Sequence, residues 1–131
     1  MKNLGLISVI LLVSITGALV LFVPLLQDRK LPREVVIVAE DMSFTVSTQN
    51  LEGIKNPTLN FIRGEKISIL FRNNDPGIRH DLIIEGLGIK SSILSYGESE
   101  RIILTVPDNV GTRSYYCTFH MLMMKGLIVI E

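Results

Sequence analysis

Cysteine is almost absent: Cys117 is the only one in 131 residues. A lone thiol excludes an intrachain disulfide framework, a four-thiolate zinc or iron–sulfur site, and a dinuclear copper centre of the two-thiolate kind. Net charge is missing too, since 13 basic side chains balance 13 acidic ones. Without a basic excess there is no electrostatic footprint for nucleic acid, so no nucleic-acid partner is expected. The chain also lacks internal repeats, low-complexity tracts and a second compositional domain. Its length suits one sizeable core.

What is abundant is apolar, and the excess sits at the N-terminus. Residues 4–26 carry no charge, and Gly5, Ser8, Ser14, Thr16 and Gly17 are the interruptions. About 20 apolar residues cross roughly 30 Å of hydrocarbon, so this run predicts one N-terminal transmembrane helix. A cleaved signal peptide has an apolar region of about 7–15 residues and a small-residue exit. Phe22-Val23-Pro24-Leu25-Leu26 offers no such exit, which favours an uncleaved anchor. Residues 1–30 are therefore read as anchor and flank, and 31–131 as the soluble domain. Arg29, Lys30 and Arg33 outnumber Lys2 and would keep that domain in the cytoplasm. The chemistry considered below argues for the other side.

The rest of the chain reads as strands. Val35-Val36-Ile37-Val38 is β-branched, Ser43-Phe44-Thr45-Val46 alternates, and Ile67, Ile69 and Phe71 share one face. Thr58-Leu59-Asn60-Phe61-Ile62 lies between turn signals. Further strands are expected over residues 81–85, 101–106, 114–117 and 127–130, while 49–55 and 87–92 have no assignable pattern. About eight short strands without helical periodicity predict an all-β, antiparallel sandwich or barrel.

Chemistry concentrates in Tyr116-Cys117-Thr118-Phe119-His120-Met121-Leu122-Met123-Met124-Lys125-Gly126, which places a thiol, an imidazole and several thioethers in one loop. The only other histidine, His80, ends a different polar loop just before a strand. Two imidazoles, a thiolate and a weak thioether form the ligand set of electron-transfer copper. Zinc is a second reading, although it does not select thioethers. A Cys–His nucleophile pair is a third, and it lacks an orienting group and an oxyanion signal. Singly, a buried cysteine or methionine is more often packing than ligand.

At these residues the sequence resembles the cupredoxins, the type 1 blue copper proteins of the plastocyanin, amicyanin and azurin kind. The resemblance runs over residues 35–131. It is carried by Asn74-Asp75 before His80-Asp81, and by Tyr116-Cys117-Thr118-Phe119-His120 leading to Met124-Lys125-Gly126-Leu127-Ile128-Val129-Ile130. It implies a Greek-key β-sandwich holding one type 1 copper ion, with His80, Cys117 and His120 as equatorial ligands. Relatives vary in the spacing from the second histidine to the axial methionine, so both Met123 and Met124 are candidates. Met124 shares strand parity with Gly126, Ile128 and Ile130, and a one-residue slip would flip the face, so Met124 is preferred.

The resemblance also implies that Asp81 ties its loop to Thr118 and offers its backbone N–H to the Cys117 sulfur, which would tune the metal. A solvated acid beside the loop is the plain alternative. Met121, Leu122, Met123, Pro76 and Gly77 are expected to ring the exposed edge of His120 as an apolar collar. The expected function is a membrane-anchored carrier of single electrons between redox partner proteins, a cytochrome or a membrane oxidoreductase. No enzyme is expected, since the ligand set leaves no open position for a small-molecule substrate. The soluble domain is expected on the extracytoplasmic side. A copper donor to a membrane oxidase and an accessory subunit of a membrane respiratory complex are the alternatives.

Overall fold

The computed structural model describes residues 30–48 and 50–131. The expected transmembrane helix lies outside them, and no helix among the described residues is long and apolar enough to cross a membrane. Residues Pro32–Glu131 form one compact unit.

Among the described residues nine strands make two sheets: β1 (Arg33–Glu40), β2 (Ser43–Val46), β3 (Leu59–Phe61), β4 (Lys66–Asn73), β5 (Ile83–Ile84), β6 (Ile89–Lys90), β7 (Ser99–Thr105), β8 (Gly111–Tyr116) and β9 (Lys125–Ile130). One sheet has the order β2-β1-β4-β7 and the other β3-β9-β8-β5-β6. The β-branched run of β1 and the alternation anticipated in β4 put Val35, Ile37 and Ala39 beside Ile67, Ile69 and Phe71 on the inner face. Leu59, Phe61, Tyr115, Ile128 and Ile130 face them from the other sheet, all essentially buried. Each fully buried side chain of this size contributes about 1.5–3 kcal/mol, and this double layer is what holds the sandwich together.

The expectation of a wholly antiparallel arrangement is corrected, because β1 pairs parallel with β4 and β3 parallel with β9. Parallel partners cannot be joined by a tight hairpin. The chain leaves the first sheet after β2, adds β3 to the second, and only then returns as β4. Turn residues mark hairpins and are silent on such crossovers. The strand expected over 81–85 shrinks to two residues, and the unassigned segment 87–92 supplies β6.

One close approach sets the entry to the chemical pole. Gly126 pairs with Tyr115 across β8 and β9, and a Cβ there would lie 2.3 Å from the phenol ring. Only glycine leaves room for that ring. Its hydroxyl donates to the Pro57 carbonyl at 2.7 Å, and burial pushes the phenol pKa well up.

Candidate metal centre

Three loops meet at one end of the sandwich. The first leaves β4 at Asn73, which is fully buried. Its side-chain oxygen accepts the Asp75 N–H at 2.8 Å, and its amide donates to the carbonyls of Ile78 at 2.7 Å and Leu94 at 2.8 Å. One side chain thus folds the whole loop 73–80. Gly77 takes a φ of 75°, the left-handed turn the loop needs. His80 is then locked by a reciprocal bridge: its N–H donates to the Leu94 carbonyl at 3.1 Å and its carbonyl accepts from Leu94 at 2.8 Å.

The second loop begins where β8 ends. The Cys117 N–H donates to the Met124 carbonyl at 3.1 Å, and His120 accepts from the Met124 N–H at 2.8 Å. Cys117, His120 and Met124 therefore sit around one tight turn. Asn56, from the loop before β3, braces it by donating to the Met123 carbonyl at 2.8 Å while accepting the Phe44 N–H at 2.9 Å.

Donor atoms converge between these loops. The Nδ1 atoms of His80 and His120 each lie 3.7 Å from the Cys117 sulfur. One ligand atom from each of the three residues falls within 4.8 Å of the others. The two imidazole rings are 5.0 Å apart, centre to centre. His80 and Cys117 are fully buried, whereas His120 is half-buried. Met124 is fully buried with them, and Met123 is 58% exposed. The parity expected for β9 matches the burial of Gly126, Ile128 and Ile130.

Polar neighbours surround the donors. Asp81 is buried, accepting the Thr118 N–H at 2.7 Å and the Thr118 hydroxyl at 2.6 Å, so it is not a solvated acid. Burial pushes the Cys117 thiol pKa up, and the nearby Asp81 carboxylate adds to this. Backbone N–H groups of Asp81 and Phe119, aimed at the sulfur, pull the other way without reversing the shift.

Sequence reasoning missed Asp75 and Asn73 as organisers of the His80 loop, although it singled out the Asn74-Asp75 pair. The Asp75 carboxylate lies 2.7 Å from Nε2 of His80 and accepts backbone N–H groups of Asp41 at 2.6 Å and Met42 at 3.2 Å. Burial alone would raise its pKa, but these bonds outweigh burial and hold the carboxyl below its ordinary value. Its spacing from His80 along the chain could not signal it, because its two backbone partners come from the turn between β1 and β2.

At the surface, Thr118, Phe119, His120, Met121, Leu122 and Met123 line one shallow pocket. Leu122 is wholly exposed and Phe119, Met121 and Met123 about half so. Pro76 and Gly77 are exposed but are not among the residues lining that pocket, whereas Met124 is fully buried.

No family model matches the chain, and no curated protein matches it. Solved structures do. Rusticyanin from Thiobacillus ferrooxidans aligns with a TM-score of 0.63 at 21% identity, over 75% of this chain and 76% of that one. The chain has the cupredoxin-like fold. Reduced auracyanin from the photosynthetic bacterium Roseiflexus castenholzii aligns at 0.59 and 17% identity, covering 78% of this chain and 99% of that one. Auracyanin A, a "blue" copper protein from Chloroflexus aurantiacus, aligns at 0.59 and 20%, covering 76% and 99%. Within this cupredoxin-like frame, His80, Cys117 and His120 with Met124 fit a single type 1 copper ion. Two imidazoles and a thiol, with a soft and fully buried methionine in the same loop, suit copper better than zinc.

Proposed function

We propose that this chain is a membrane-anchored mononuclear copper protein that carries single electrons between redox partners. The observation that carries the reading is the convergence of both histidines and the only cysteine within 4.8 Å at one pole. Bound copper would supply a one-electron couple. The chain's own residues do the rest. Asn73, the Leu94 bridge and the Cys117–Met124 bond hold His80 and Cys117 in place before any metal arrives. Burial of His80, Cys117 and Met124 excludes water, so a change of charge meets few mobile dipoles. The half-buried ring of His120 is the route outward, and the apolar collar around it suits brief, weak docking to a cytochrome or membrane oxidoreductase. Met124 is the proposed axial ligand.

Residues 4–26 are the proposed anchor, restricting the carrier to a membrane surface, with residues 31–131 on the extracytoplasmic side. An activity reporter fused after Glu131 that works only in the cytoplasm would reverse that placement. Anaerobic copper titration of the full chain in mild detergent tests the site. One ion per chain, an intense visible band and a reversible reduction are expected; a colourless or multi-ion product would refute the carrier.

Exposed Met121 and Met123 beside His120 favour a second reading, a copper donor that passes Cu(I) to a membrane oxidase. Slow exchange of bound copper with a Cu(I) chelator supports the carrier, and rapid exchange supports the donor.

A further inference from the structure

Asp75 is a buried acid with a full set of donors around it, and the proposed electron transfer assigns it no part. Three groups point at its carboxylate: the Asp41 N–H at 2.6 Å, the Met42 N–H at 3.2 Å and Nε2 of His80 at 2.7 Å. Two of these are backbone amides and can only donate. A carboxylate already accepting two amides takes the third group as a donor as well, which places the His80 proton on Nε2. A neutral imidazole carries one proton, so Nδ1 is left as a bare lone pair. That lone pair is the atom facing the Cys117 sulfur at 3.7 Å.

The tether at the other end is unusual. Asp41 and Met42 form the two-residue turn between β1 and β2, with φ of 50° and 55°. Neither is glycine, and each such residue is uncommon in this region. The carboxylate that accepts both amides, 34 residues after Asp41 in sequence, holds the turn and His80 together.

We propose that Asp75 is the positioning residue that selects the Nε2–H form of His80 and aims Nδ1 at the metal. This rests on the copper reading above. An anionic acceptor on the far nitrogen makes Nδ1 more basic, and a more basic ligand favours the higher-charged Cu(II) over Cu(I). Asp75 therefore lowers the reduction potential as well as setting the ligand geometry.

The test begins on the copper-free full chain, with histidine nitrogen shifts read by NMR at neutral pH. His80 is expected as the Nε2–H form. A proton on Nδ1, in the other tautomer or in an imidazolium, would overturn the proposal whatever any variant does. In Asp75→Asn, Cu(II) affinity is expected to fall by about 10–100-fold. Cu(I) affinity should fall less, so the reduction potential rises. Equal loss of both affinities, with the potential unmoved and only the copper-free stability lowered, would make Asp75 a purely structural residue and defeat the proposal. Failure of the wild-type chain to take up copper would refute the carrier reading instead, and the tautomer measurement would still decide the fate of Asp75.

Discussion

The two loops that bring the histidines together are built on opposite plans. The loop before His80 is internally hydrogen-bonded, through Asn73, Asp75 and the Leu94 bridge, and its imidazole is sealed from solvent. The loop carrying His120 is pinned at its root by Cys117, Met124 and Asn56, yet it turns Phe119, Met121, Leu122 and Met123 outward. A satisfied, buried loop resists change, since each broken bond leaves an unpaired polar group. An exposed apolar loop tolerates change and meets partners. In the proposed carrier this difference divides the work: one loop sets geometry, the other makes contact.

Removing each imidazole tests that division most severely. His80→Gly and His120→Gly should both lose the visible band on copper addition. Added free imidazole should restore it only in His120→Gly, because the His80 position has no access from solvent. Equal rescue of both, read by absorption, would erase the distinction. A smaller effect is expected at the root of the buried loop. Asn73→Ala takes the side-chain partner from the Ile78 carbonyl and the Asp75 N–H and should cost about 1–3 kcal/mol in denaturant unfolding. Leu122→Ala, by contrast, should stay within about 0.5 kcal/mol of the parent.

Within the contact loop, Met124→Gln should move the copper spectrum and Met123→Gln should not, since only Met124 is buried with the donors. A shift in the second variant alone would transfer the axial role to Met123. The subtlest test is Leu122→Lys, which should leave the spectrum unchanged and slow electron self-exchange between copies a few-fold through like-charge repulsion. In the parent that exchange should be nearly independent of salt; a steep dependence would mean that charged patches guide encounter.

Much of this was legible in the chain. The β-branched run at 35–38 announced one core strand, and alternation at 67–71 announced its partner, because side-chain direction in a strand repeats every two residues. The same rule separated Met124 from Met123, since parity is inherited from the strand that follows. Parallel pairing was not legible: β1 and β4 are joined by a crossover through the other sheet, and no local residue encodes a crossover. Nor was β6, too short for any periodicity. The role of Asp75 was hidden for the same reason, as its donors Asp41 and Met42 lie far away in sequence.

By itself the sequence determined the donor inventory, the strand-rich class and the long apolar run at 4–26, because composition and periodicity are local properties. Only the tertiary structure decided that His80 meets Cys117 and His120, that Asp81 is buried on Thr118, and that Asp75 grips His80 from behind. Those contacts join loops from different strands. They exist only once the apolar faces of two sheets have been driven together and the loops at one end are forced to share a small volume.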